Sequence, residues 1–243
     1  MAIINETYLN KITQGDTLEE MRKLTDKSVD MILCDLPYGT TACKWDTIIP
    51  FEPLWAEYER VIKGNGAIVL TASQPFTTAL IASNMGNFKY CWVWDKKSIS
   101  NPQLAKIQPL KSHEDVCVFG KGKLNYYPQG LQDFSRKRKK DTSELGHCVR
   151  KEYEQLKTGY PKSVINFSVE RGLHPTQKPV ALFEYLIHTY TNAGEVVLDN
   201  CIGSGTTAVA AINTGRQFIG IEREPEYVAI ANQRITDAIR AVS

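Results

Sequence analysis

The stretch VVLDNCIGSGTTAVAA (196–211) decides the fold. A short apolar run ends on Asp199, the turn Gly203-Ser204-Gly205 follows, and an alanine-rich segment opens at Thr206. This order reads as strand, tight turn, helix. Glycine allows such a turn, and it lets a ligand approach the backbone N–H groups at a helix N-terminus. Gly203, Gly205 and Ala208 fit the loose pattern G-x-G-x-x-A. Glu222 ends the next apolar run, QFIGIE (217–222), about 20 residues on, where an acid accepts hydrogen bonds from ribose hydroxyls. No Gly-Lys-Ser/Thr follows, which excludes a P-loop. A plain structural turn is the simpler reading, and the acid at the end of the following strand favours a nucleotide-type cofactor.

Working outward, short apolar runs alternate with amphipathic segments, the pattern of an α/β sheet. VDMILCD (29–35), GAIVLTAS (66–73), YCWVWD (90–95), EDVCVFG (114–120), EVVLD (195–199) and QFIGIE (217–222) read as strands. Helices are expected over 17–25, 51–64 with Gly64 as a C-terminal stop, 77–86, 180–191, 206–215 and 225–241. Periodicity fades over 121–170, which reads as an insertion on the sheet and holds a helix candidate, KEYEQLK (151–157). Only one helix follows Glu222, so the strands that would complete a dinucleotide fold must come from earlier in the chain. That order implies a permuted sheet.

The run VDMILCD delivers Asp35-Leu36-Pro37-Tyr38-Gly39 to its C-terminal end, where ligands bind in open α/β sheets. An acid, a proline-stiffened turn and an aromatic suit a planar base. An ordinary strand exit would also fit this segment taken alone.

The motifs together resemble a known family. DLPYGT (35–40) resembles the catalytic Asp-Pro-Pro-Tyr motif of DNA amino-methyltransferases, and LHPTQKPVALFEYLI (173–187) resembles their Gly-His-Pro-Thr-Glu-Lys-Pro segment. VVLDNCIGSGTT resembles their cofactor motif Asp-Pro-Phe-x-Gly-Ser-Gly-Thr-Thr, and IEREPEYVAIANQRI (221–235) their closing helix. With the catalytic motif first and the cofactor motif last, the order is that of the beta group. The resemblance implies a single Rossmann-like methyltransferase domain over 1–243. Its sheet would be mostly parallel and seven-stranded, with circularly permuted motif order, and 121–170 would be an inserted target-recognition region. It implies methyl transfer from S-adenosylmethionine to the N6 amine of adenine in double-stranded DNA, the base being flipped out, with the cytosine N4 amine as the alternative.

The chemistry explains these residue types. The lone pair of an adenine amine is delocalised into the ring, so the amine is a poor nucleophile. If Asp35 and the carbonyl of Leu36 each accept one N–H, the nitrogen is held towards tetrahedral geometry and its developing charge is stabilised. Pro37 stiffens the turn, and Tyr38 would stack on the extruded base. By the same resemblance Asp199, Gly203, Ser204, Gly205, Thr206 and Thr207 hold the methionine end of the cofactor, and Glu222 holds its ribose. Asp16 lies near the cofactor adenine or serves only as a helix N-cap. His174 and Thr176 close over the methionine moiety; Lys178 matches the same segment, with a plain surface lysine as the other reading. His113-Glu114 is expected to be structural. Leu36, Asn200 and Cys201 depart from the family pattern.

Composition bounds the alternatives. Net charge is only +2, but SRKRKK (135–140) places five cations in six positions. Such a block is commonly a solvated loop; here Arg136, Lys137 and Arg138 are candidates for phosphate contacts. None of the six cysteines follows a proline, which argues against ring-carbon methylation of cytosine. No Cys/His pattern suggests a metal. The chain has no basic-then-apolar leader and no apolar run near the ~20 residues of a membrane helix, so a cytoplasmic protein is expected. Family habits add a homodimer and a cognate restriction enzyme as partners. A catalytically inactive DNA binder and a nicotinamide oxidoreductase are the competing classes. The second leaves Asp35–Tyr38 unexplained.

Overall fold

The computed structural model describes residues 6–40, 46–138, 152–170 and 177–242. In chain order the elements are β1 (Lys11–Gln14), α1 (Thr17–Met21), β2 (Val29–Asp35), α2 (Phe51–Val61), β3 (Ile62–Ala72), α3 (Phe76–Ser83), β4 (Phe88–Asp95) and β5 (His113–Phe119). They continue with β6 (Gln132–Arg138), β7 (Tyr153–Thr158), β8 (Val164–Asn166), α4 (Val180–Tyr190), β9 (Val196–Asp199), α5 (Thr206–Asn213), β10 (Gln217–Glu222) and α6 (Pro225–Val242).

Eight strands form one sheet in the order β1-β10-β9-β2-β3-β5-β4-β8. Only β5 runs against its neighbours, so the sheet is mostly parallel as expected. The expected count was seven; the eighth is the three-residue edge strand β8, which pairs with β4. β2 shows why its sequence is apolar throughout. Ile32 and Cys34 face a layer holding Met21, Leu54 and Tyr58, while Met31 and Leu33 face one holding Phe183, Leu186 and Ala208. A strand covered by helices on both faces has no solvent side to make polar.

Three local expectations are corrected. The helix expected to stop at Gly64 ends at Val61, because Ile62 takes an extended backbone and already pairs with Val29. Within KEYEQLK the residues from Tyr153 onward form strand β7 (Tyr153–Thr158), not a helix; alone the segment has no apolar face to bury, whereas pairing with β6 satisfies its backbone. The first helix is short, ending at Met21.

The chain divides into two compact units, residues 128–162 and the remainder. The smaller unit contains the β6–β7 hairpin, held by pairs such as Lys157–Asp133 and Ser135–Glu154. This unit lies inside the stretch 121–170. Tyr127 N–H donates to the Thr189 carbonyl, and β8 joins the main sheet, so both flanks belong to the larger unit. Among the described residues no helix is long and apolar enough to cross a membrane.

Candidate active site

β9 and β2 lie side by side, with Val197 opposite Met31 and Leu198 opposite Ile32. From this pair the chain winds outward in both directions, through β10 and β1 on one side and β3 on the other. Loops leaving the C-terminal ends of such a pair diverge and open a crevice. Here the loops are the glycine turn after Asp199 and the Leu36–Gly39 segment after Asp35. Both line one cavity of about 1030 Å³, together with Asp16, Glu114, Lys178 and Glu222. Two motifs far apart in sequence therefore share one site because their strands are neighbours in the sheet.

At the first end of the cavity the turn is tied internally. Gly203 and Gly205 adopt φ of +52° and +86°, the left-handed region that favours glycine. A Cβ on Gly205 would sit 2.9 Å from that of Ala231, so close packing against α6 also demands glycine there. At Gly203 the nearest atom beyond its chain neighbours is the Cys201 carbonyl oxygen, 4.0 Å from such a Cβ, which leaves space beside the backbone. Glu222 Oε2 accepts from Gly203 N–H (2.8 Å) and Oε1 from Glu224 N–H (2.9 Å). Each oxygen keeps a lone pair for a further donor. Asp199 is buried; Oδ1 accepts from Cys201 N–H (3.0 Å) and Oδ2 from the Thr207 hydroxyl. Burial pushes its carboxyl up to about 7. Asp16 caps α1, Oδ1 accepting from Leu18 and Glu19 N–H, and it also lines the cavity. Both sequence readings of Asp16 are thereby compatible.

The departures at Asn200 and Cys201 have local partners. Tyr58 of α2 donates to Asn200 Oδ1 (2.6 Å), and Thr17 of α1 donates to the Asn200 carbonyl (2.6 Å). The Cys201 sulfur accepts from Asn200 Nδ2 (3.5 Å) and lies 3.8 Å from the Thr17 hydroxyl, and burial pushes up the thiol of Cys34. A donor set of carboxylates and backbone N–H groups around a left-handed glycine turn fits a nucleoside cofactor.

At the second end, both lone pairs of Asp35 Oδ1 are taken. That oxygen accepts from the Tyr38 hydroxyl (2.8 Å) and the Thr71 hydroxyl, and Oδ2 pairs with Lys178 Nζ (2.7 Å). Lys178 also pairs with Glu114 (3.3 Å), which in turn pairs with Lys96 (3.0 Å). Four alternating charges thus run from Asp35 to Lys96. Burial opposes the charge on Lys178, but Asp35 and Glu114 outweigh it and raise its pKa. Burial likewise opposes ionisation of Glu114, yet Lys178 and Lys96 hold it below the usual carboxylate value. Tyr38 is pushed well up by burial and by Asp35. Its ring is no free-standing platform: it stacks on Phe76 at 5.1 Å, and Lys178 Nζ lies 5.5 Å from its centroid.

A family profile described as DNA methylase matches residues 29–233. The chain belongs to the DNA methylase family. It is 32% identical over 246 residues to the DNA adenine methyltransferase YhdJ of Escherichia coli strain K12, covering 92% of this chain and 82% of that one. The solved M1.HpyAVI–SAM complex matches with a TM-score of 0.64 at 25% identity, covering 92% of this chain and 98% of its own. The cytosine-N4-specific PvuII DNA methyltransferase shares the fold at a TM-score of 0.65 and 17% identity, over 95% of this chain and 91% of its own.

The methylase brings Asp35–Tyr38, Asp16, Asp199, Gly203, Ser204, Thr206, Thr207 and Glu222 to one cavity, while Gly205 packs against Ala231 behind it. His174 and Thr176 lie outside the described residues. Arg136 and Lys137 are exposed on β6 in the smaller unit, and of Arg138 only the backbone is described. Sequence reasoning left Lys178 between two readings and missed the part that three further groups play. Lys178 is not a surface lysine but 7% exposed and paired to Asp35. Its place before Pro179, at the entrance to a buried helix, was the available signal. Glu114 lies among the residues that line the cavity, beyond the structural role expected of it. Asp46 accepts from Gly39 and Thr40 N–H and so fixes the loop beyond Tyr38. Arg234 of α6 donates to Ser204 and Thr206, which stay buried beneath it. The last two contacts carry no local sequence signal.

Proposed function

We propose that this methylase transfers a methyl group from S-adenosylmethionine to the exocyclic N6 amine of adenine in double-stranded DNA. The observation that carries the reading is the shared cavity, in which the Asp35 carboxylate and the glycine turn with its acid Glu222 face common space. When bound, S-adenosylmethionine supplies an electrophilic methyl group. Glu222 holds the ribose hydroxyls through its free lone pairs, and the backbone around Gly203 accommodates the methionine portion. Asp199 acts by shaping the turn, since its carboxylate is taken up by Cys201 and Thr207. Ser204 and Thr206, tied to Arg234, support the same turn.

At the other end Asp35 Oδ1 and the Leu36 carbonyl each accept a hydrogen bond from one N–H of the amine. That grip draws the nitrogen lone pair out of the ring and stabilises the positive charge that grows on nitrogen, a preorganised electrostatic effect. The Tyr38 hydroxyl occupies Oδ1 in the free protein. The incoming amine replaces it, and Tyr38 is released to turn its ring onto the base. Lys178 keeps Oδ2 occupied, so the carboxylate offers one oxygen in one orientation. The exposed cations Arg136 and Lys137 of the hairpin, with Arg138, contact phosphates, and residues 128–162 serve target recognition. The homodimer expected from the family is tested by sedimentation velocity.

Methyl transfer to duplex DNA, with identification of the modified base, tests the reading. N6-methyladenine is expected, and Asp35→Ala should lower turnover by about 1000-fold, at the upper end for removal of one transition-state contact. N4-methylcytosine as product would replace the substrate and leave the mechanism standing. Retained turnover in Asp35→Ala would remove the mechanism itself.

A further inference from the structure

Between β4 and β5 the chain leaves the sheet and returns beside the catalytic end of the cavity. The stem of this loop is laced together: Lys96 N–H donates to the Ser112 carbonyl (2.9 Å) and Ser100 N–H to the Lys111 carbonyl (3.0 Å). Lys111 N–H donates to Oδ1 of the buried Asn101 (2.6 Å). Ser98, Ser100 and Lys111 of the stem line the cavity that contains Asp35. Beyond the stem, residues 102–110 stand out from the fold, opening with a 3-10 turn at Pro102–Leu104. Ile107 and Gln108 both donate their N–H to the Leu104 carbonyl (2.9 and 3.0 Å), which sets the tip.

Two features of this tip are not explained by folding. Ile107 is 78% exposed, more than any other large hydrophobic side chain among the described residues. No acid occurs between Asp95 and Glu114, while Lys97, Lys106 and Lys111 all fall in that stretch. A single exposed isoleucine is ordinary on a protein surface. An isoleucine on a braced, acid-free, lysine-bearing turn whose stem walls a base-sized site is a different arrangement. The cations suit a phosphate backbone, and an apolar tip suits the interior of a base stack.

We propose that this turn is a DNA-contacting surface that opens the duplex. Lys106 and Lys111 meet phosphates, and Ile107 enters the stack where the target base has left it. Gln108 presents an amide to the orphaned partner base. The inference rests on the reading that Asp35 acts on an extruded base. Extrusion costs unstacking and unpairing, and an apolar wedge offsets part of that cost by filling the gap. This surface lies in the larger unit.

The test uses a short duplex carrying a site that the wild-type protein has methylated, located by sequencing the modified DNA. A second duplex is identical except for an abasic position opposite the target base, so that no pair need be broken. Ile107→Ala should slow methylation of the paired duplex by about tenfold and of the abasic-partner duplex by less than about twofold, because weakened pairing makes flipping easier. Ile107→Leu should keep the rate on both, and the thermal midpoint should not move. Equal losses on the two duplexes, or no loss on the paired one, would overturn the wedge. An Asp35→Ala protein that still methylates the abasic-partner duplex would overturn the underlying reading while leaving the Ile107 result interpretable.

Discussion

At the glycine turn the hydrogen bonds close within the scaffold; at Asp35 they close only by using the groups that must later act. Asp199, Asn200, Ser204 and Thr206 are buried and tied to Thr207, Tyr58 and Arg234, none of which has to move for a ligand to enter. Asp35, by contrast, is held by Tyr38, Thr71 and Lys178, and an amine arriving at Oδ1 must displace Tyr38 or Thr71. The difference teaches where each end spends its free energy. A turn that is complete beforehand binds with little reorganisation, whereas a fully occupied carboxylate oxygen has to exchange partners, which ties its exposure to the presence of substrate.

Breaking the charged end should have the largest effect. In Lys178→Met, Asp35 and Glu114 lose the cation between them, and a buried charge without its partner is strongly unfavourable. We expect kcat to fall on the order of 100-fold with cofactor affinity nearly unchanged, since the ion pair orients a group that acts in the transition state. Lys178→Arg should restore part of the rate. A kcat within threefold of wild type for Lys178→Met would show that the ion pair does not orient Asp35.

The other end should respond with the opposite split. Glu222→Ala removes an acceptor for the ribose and unties Gly203 N–H. Cofactor affinity should drop by about tenfold, the scale of one hydrogen bond to a charged group, while kcat at saturating cofactor stays near wild type. Isothermal titration calorimetry reads the first and steady-state kinetics the second. If kcat falls and affinity holds, the two ends are not separable in this way.

The smallest effect sharpens the comparison at Asp199. Burial raises its carboxyl from 3.8 to about 7, so over that interval the folded protein holds a proton that the unfolded chain has released. Stability should therefore fall as pH climbs from about 4 to about 7 and level off above, with a slope from this group of at most about 1.4 kcal/mol per pH unit. Asp199→Asn should flatten that slope in denaturant titrations between pH 5 and pH 8. An unchanged slope would mean that Asp199 is ionised in the fold throughout, held so by Cys201 N–H and Thr207.

Legibility followed the same division. Gly203, Gly205 and Glu222 were readable because each meets a demand of its own backbone position: a left-handed φ, or the end of a parallel strand. Asp35–Tyr38 were readable because the apolar run of β2 stops at them. Tyr38 was read as a platform for a base, yet its ring packs on Phe76 and its hydroxyl meets Asp35; no spacing in the sequence announces either neighbour. β1 went unread because four residues of mixed polarity at a sheet edge give no alternation to detect.

The sequence by itself determined the class of chemistry and the order of its parts, because strand exits, glycine turns and acid placement are local requirements written residue by residue. Only the tertiary structure decided which charges meet. Lys178, Glu114 and Lys96 come from separate segments, and their alignment with Asp35 depends on strand register and on the packing of α4. A side chain's environment is set by neighbours distant along the chain, and pairwise electrostatics across such distances leaves no periodic trace in the sequence.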